Sequence, residues 1–251
     1  LQRPVAIAIA IIVVIAIAIG VYMQYSGEEP EPEPLPTTTT LPPPVEPPAP
    51  QPEPAPIVLP PLEESDETLL SMIEGLSAHP RLADVVDIED IARTFVAAVV
   101  AIANGESPRG TLEYLEPDED FSIAERDGRV VIDPASFERY TWITGVFSSL
   151  DATGAAEVYG QLEPLFDEAY REMGYPEGRF REALDAAMNR LASTPVPEGY
   201  VEVRRGNVLW EFRDPALEAL SPPQKHLLRM GPANARLVQS KIREIQAALG
   251  R

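Results

Sequence analysis

The chain has 251 residues with 40 acidic and 20 basic side chains, a formal net charge of −20. A field this negative repels nucleic acid and anionic lipid, so no nucleic-acid partner is expected for the molecule as a whole. The absence of Cys excludes disulfides, thiolate metal sites and Cys nucleophiles, and two His exclude a His-rich metal centre.

Residues Pro4 to Gly27 carry no charged side chain, and Val5 to Met23 is almost entirely Ile, Val and Ala. Nineteen residues rise roughly 28 Å as a helix, close to a ~30 Å hydrocarbon core. In lipid the backbone must bond to itself, which overrides the poor helix propensity of β-branched residues. Tyr22 and Tyr25 stand where an interfacial aromatic belt is expected. Residues 1–25 therefore read as a transmembrane signal anchor whose lipid bilayer contact is residues 5–23. The competing reading is a cleaved signal peptide, for which Ala18-Ile19-Gly20 offers a small-x-small site. Arg3 against Glu28, Glu29, Glu31 and Glu33 sets the N-terminus in the cytoplasm and the rest outside. The start at Leu1 leads to the expectation of residues upstream.

Residues 26–61 hold 15 of the 28 Pro and six Glu, with no Lys or Arg. Pro fixes φ and biases the preceding residue toward extended geometry, so a disordered, polyproline-like linker is expected. Like charges stretch it further, to a reach on the order of 110 Å.

From Leu62 to Arg251 the composition becomes that of a globular domain. Ser65 and Asp66 open a helix bearing Leu69, Leu70, Ile73 and Leu76. A second, capped by Asp87 with Asp90 three on, carries Ile88, Ile91, Ala92, Phe95, Val96, Val99 and Ile102 and stops at Asn104-Gly105. Asp133-Pro134 starts a third, predicted to run through Leu150. A fourth begins at Asp151 and ends at Gly174, with a kink or break expected at Pro164, four residues after Gly160. The fifth bears Phe180, Leu184, Ala187, Met188 and Leu191. Short helices follow Asp214-Pro215 and Ser221-Pro222. The last, from Pro232, aligns Leu237, Val238, Ile242, Ile245 and Leu249. Two β-hairpins interrupt the helices, turning at Asp127-Gly128 and Gly206-Asn207, and they must pack on helices or pair with each other. The expected fold is α+β, predominantly α: a helical domain with two β-hairpins, preceded by one transmembrane helix and a Pro-rich linker.

Charge divides the domain, with a net −20 from Leu62 to Val203 (30 acidic, 10 basic) and +5 from Arg204 to Arg251 (9 basic, 4 acidic). Lys225, Arg229, Arg236, Lys241 and Arg243 are the candidates for a basic, partner-binding face. The alternative is a basic C-terminal helix packed against acidic neighbours. His79 and His226 read as turn or surface residues. Asp118, Glu119 and Asp120 resemble the start of a calcium loop, but Ile123 and Arg129 stand where that template needs Gly and Glu. Asp167-Glu168 is the carboxylate pair on which glycoside chemistry would rest, since two facing acids are required. No nucleophile elbow, phosphate-binding Gly loop or dinucleotide fingerprint is present. No catalytic, cofactor-binding or metal residue is assigned, and no cofactor is expected.

Six stretches carry a resemblance: Leu59–Leu62, Val131–Phe137, Pro164–Tyr170, Gly174–Phe180, Thr194–Gly199 and Leu227–Pro232. Together with the anchor-and-linker layout they resemble the bacterial domain of unknown function 3014 family. The resemblance implies a single-pass protein of the bacterial inner membrane with its C-terminal domain in the periplasm, and no assigned activity. The expected function is a non-enzymatic envelope binding or scaffold domain whose partner is a protein or envelope polymer. The competing function is a carboxylate-based enzyme acting on such a polymer.

Overall fold

The structure is a computed structural model that describes residues 59–82, 89–112, 117, 120–206 and 210–250. The apolar run at residues 5–23, the linker before residue 59 and the Asp87 cap lie outside them. Among the described residues no helix is long and apolar enough to cross a membrane.

Helix α1 spans Asp66–Glu74 and α2 spans Ile91–Asn104. In α2 apolar residues occur almost all round, and Ile91, Ala92, Phe95, Val96, Ala98, Val99, Val100 and Ile102 are all buried, so it is the central rod of the fold. It ends at Gly105, whose φ of 77° is the left-handed closure that glycine adopts without strain. Helix α5 (Ala152–Glu172) and helix α6 (Phe180–Ala192) flank it. Phe95 meets Phe166 and Phe180 edge-on, with ring centroids 4.8 and 5.2 Å apart.

Asp133 and Pro134 start α3 (Pro134–Glu138) as the sequence predicts, but the helix does not run on to Leu150. It closes at Arg139-Tyr140, and α4 (Thr141–Ser148) follows. The Phe137 carbonyl explains the break. It accepts from Tyr140 N (3.1 Å) and from Asn234 Nδ2 (2.9 Å), so a buried amide from elsewhere replaces the bond a continuous helix would make.

The expected break at Pro164 is absent: α5 is one helix of 21 residues with Pro164 inside it. Gly160 and Pro164 both face solvent, so water can satisfy the Gly160 carbonyl that Pro164 leaves without its usual donor. The flanking residues Tyr159, Leu162, Leu165 and Phe166 are buried and hold the helix on course.

Strands β1 (Ile123–Arg126) and β2 (Arg129–Ile132) form the first hairpin, closed by Asp127 and Gly128 at φ 51° and 71°. Two consecutive positive φ values make the tight turn whose twist matches the strands. The second hairpin pairs β3 (Val203–Arg205) with β4 (Trp210–Phe212). The hairpins also meet each other: Ile132 N donates to Val201 O at 3.0 Å, and Val131 bridges Glu202. Ile132, Val201, Val203, Phe212 and Leu228 form a second, smaller core beneath them.

Short helices α7 (Pro215–Glu218) and α8 (Pro222–Arg229) lead into α9 (Pro232–Leu249). Helix α9 lays Ala235, Val238, Ile242 and Ile245 on the helical core. Leu237 does not join this row and is 49% exposed. It lies about 100° round the helix from Val238, beyond the edge of the buried arc.

Candidate functional site

The five basic residues of the C-terminal third are separated by the fold. Arg236 and Arg243, seven apart, share the exposed side of α9. Arg236 donates to Pro197 O at 3.1 Å. Lys241 turns the other way and is only 8% exposed, with Nζ donating to Leu150 O at 2.9 Å and paired with Glu244. Lys225 Nζ binds Glu218 at 2.8 Å. Arg229 donates to Trp210 O at 3.2 Å, over the face of Phe212. Burial lowers the guanidinium pKa of Arg229, with Glu218 and Tyr140 opposing the shift.

Asp167, half of the candidate carboxylate pair, has a structural task. Its Oδ1 accepts from Phe180 N at 2.8 Å, at the first residue of α6. Glu168 is exposed. Asp66 does the same for α2, accepting from Asp90 N and Ile91 N at 2.8 and 2.9 Å. Each carboxylate meets unpaired N–H groups at the positive end of a helix.

The opposite ends are held by donors. Arg190 Nη2 binds Ala103 O at the end of α2 (2.9 Å), and Lys241 binds Leu150 O beyond α4. Gln239 Nε2 reaches Leu191 O and Thr194 O at the end of α6 (3.1 and 2.8 Å), while Asn234 Nδ2 serves Phe137 O and Met230 O. Asn234, Gln239 and Lys241, all three buried, thus tie helix ends to neighbouring helices. Sequence reading missed this role for Lys241; the available signal was its place three after Val238 and one before Ile242.

Between α5 and α6 lies a group of titratable side chains. Tyr159 is 3% exposed, and burial pushes its phenol well up, with Glu163 adding to the shift and Arg181 opposing it. Burial likewise raises Asp185, against its ion pair with Arg181. The adjoining cavity is walled by Leu69, Ile73, Phe95, Val158, Leu162 and Phe166, which is an apolar core lining and not a substrate cleft.

His79 Nδ1 accepts from Arg81 N at 3.2 Å, and His226 meets the Tyr140 ring edge-on. Asp118 and Glu119 lie outside the described residues. Among the described residues no three His, Asp or Glu gather to hold a metal ion.

Two exposed apolar side chains stand together where α5 ends. Gly174, at φ 97°, closes the helix, with Gly174 N donating to Arg171 O and Tyr175 N to Tyr170 O. This double closure brings the residue after the glycine onto the last turn. Tyr175 accordingly stacks flat on Tyr170, centroids 4.5 Å apart and planes 1° from parallel. Gly178 lies so close that a Cβ there would sit 3.0 Å from Tyr170 Cε1. Tyr175 is 37% exposed and Met173, in the same turn, 42%. The sequence marks Gly174 as the stop of this helix and gives no sign of the stacked pair.

Residues 91–246 match the family model described as Protein of unknown function (DUF3014), more than half of the chain, and the chain belongs to that family. The match bears out the resemblance carried by the motifs from Val131 to Pro232. No curated protein and no solved structure matches the chain.

Proposed function

We propose that this member of the DUF3014 family is a membrane-anchored, non-enzymatic binding protein of the bacterial envelope. Residues 5–23 hold it in the inner membrane, residues 26–61 act as a stiff acidic spacer, and the helical domain binds a partner in the periplasm. The observation that carries the reading is the stacked, solvent-facing Tyr175 beside Met173, at the end of a helix whose Tyr159, Phe166 and Tyr170 are buried. Large apolar side chains exposed together mark an interaction surface more often than a catalytic one. The use of Asp167 at the start of α6 supports the same conclusion, because it ties one member of the Asp167-Glu168 pair to a helix end. A tether adds reach and raises the local concentration of partner, which suits a binder of modest affinity.

Gentle crosslinking in intact membranes, followed by capture of the chain, should recover one specific partner. A spacer shortened by half should lose that capture while the domain keeps its thermal unfolding. A C-terminal reporter active only in the cytoplasm, or uncleaved chain in the soluble fraction, would overturn the anchored topology.

A further inference from the structure

The helix-closing geometry accounts for why Tyr175 touches Tyr170, but not for what its outer face does. One face of the ring lies on Tyr170, so the 37% that remains exposed is the far face and edge. The electron-rich face of an aromatic ring attracts a cation within about 6 Å. The surrounding charge favours the same kind of ligand. Arg93 is engaged by Glu172, Asp90 and Glu63, Arg179 by Glu163, and Arg181 by Asp185. Glu177, between Tyr175 and Gly178, and Glu182, in the first turn of α6, make no ion pair among the described residues. Among the described residues no carboxylate pairs with Arg171. Glu182 lies near the Tyr170 phenol, whose pKa rises through burial first, then through Tyr175 and Glu182. Residues 62–203 carry a net −20, so the long-range field draws a basic partner in and repels an acidic one.

We propose that the Tyr175–Tyr170 stack, with Met173 in the same turn and Glu177 and Glu182 at its border, docks a Lys- or Arg-bearing peptide segment of a partner protein. The inference deepens the binding reading above and rests on it for the claim that a partner exists. An ammonium or guanidinium group covers the free face of Tyr175, and further cations pair with the two carboxylates. Met173 takes the aliphatic stem of the basic side chain, which buries its methylenes while the head stays hydrated.

The test is titration of a fluorescent octalysine peptide against the full chain in detergent micelles at 0.1 M salt, where the Debye length is about 10 Å and diffuse attraction is damped. Y175A and Y175L should each weaken binding about threefold to tenfold, and Y175F should leave it unchanged. Leu keeps the apolar contact with Tyr170, so an unchanged melting curve of Y175L separates lost binding from lost folding. The double variant E177Q/E182Q, at two exposed positions, should weaken binding by a similar factor. All tyrosine variants keep the net charge; octalysine binding as tight to Y175A as to the native chain shows diffuse attraction and overturns the proposal. Tyr175-dependent binding of octaglutamate or of neutral chitotetraose overturns the cationic assignment. A membrane partner captured equally well by Y175A removes this surface and leaves the binding reading standing. Tyr175-dependent octalysine binding with no partner captured from membranes does the reverse.

Discussion

The helical core and the hairpin platform solve the same problem with different means. Around α2 the polar groups that cannot be avoided, the helix ends, are closed by side chains reaching across from neighbours: Asp66, Asp167, Arg190, Gln239 and Lys241. The hairpins have a small apolar core of their own and are joined to each other by one bridge and, at the surface, by the Arg129–Glu202 ion pair. Buried hydrogen bonds to helix ends are costly to lose, whereas exposed pairs are screened. The core should therefore tolerate little change and the platform much more.

The largest effect is expected at the centre. Phe180 is fully buried against Phe95, Phe166 and Tyr170, so F180A leaves a cavity and should cost about 3–5 kcal/mol. Urea unfolding reads it directly; a loss under 1 kcal/mol would mean that this aromatic cluster is not the organising core. Next comes Gly231, between α8 and α9, with φ at 93° and no room for a side chain. A Cβ there would sit 2.4 Å from Phe137 Cγ. G231A should cost about 2–4 kcal/mol from overpacking and backbone strain together. Amide exchange should quicken in β2 and α3 before it does in α2; the opposite order would show that the two regions are not separable.

Much of this division was legible in the sequence, and the part that was not has a physical cause. The helices at Asp66, Asp151, Phe180 and Pro232, the Asp127-Gly128 turn and the stop at Gly105 follow from periodicity and backbone chemistry, which act locally. The break at Arg139-Tyr140 was not readable, because the group that takes the Phe137 carbonyl is Asn234, 97 residues away. Lys241 reads as part of a basic face until the three-dimensional arc of α9 turns it inward. The Tyr170–Tyr175 stack depends on the closure at Gly174, a geometry that sequence marks only as a stop. Local signals are written in neighbouring residues; long-range capping partners are not.

The carboxylates at helix ends offer a sharper version of the comparison. D167A and D66A should each cost about 1–2 kcal/mol, the usual range for losing an N-terminal cap. D167N, whose amide oxygen still accepts from Phe180 N, should recover most of the loss. If D167N were as damaging as D167A, the charge of Asp167 would matter beyond the hydrogen bond, and a chemical role would return to consideration. Glu218 provides the counterpart in the platform. Burial raises its pKa, but the Lys225 and Phe212 hydrogen bonds outweigh that and leave it below its ordinary 4.5. A lowered folded pKa gives stability that is present above the unfolded value and lost as pH falls through the folded one. Acid should therefore loosen the platform below about pH 4.5, and E218Q should flatten that part of the curve. An unchanged acid limb in E218Q would shift the cause to other carboxylates.

The smallest effect should come from the pair that joins the hairpins across their surface. Arg129 Nη1 lies 2.6 Å from Glu202, and Arg213 approaches the same carboxylate at 3.7 Å. Both arginine side chains are about two-thirds exposed, at 66% and 67%. Water and salt screen such contacts, and holding long side chains in place opposes the gain, so R129A should cost less than about 0.5 kcal/mol. Arg213 also remains to serve Glu202 when Arg129 is removed. The hairpins would then be held together mainly by the Ile132–Val201 hydrogen bond and the apolar contacts beneath it. V201A removes part of that apolar layer and should cost about 1–2.5 kcal/mol. If R129A proved the more damaging of the two, the platform would be an electrostatic assembly, and its stability would fall steeply between 0.05 and 0.5 M salt.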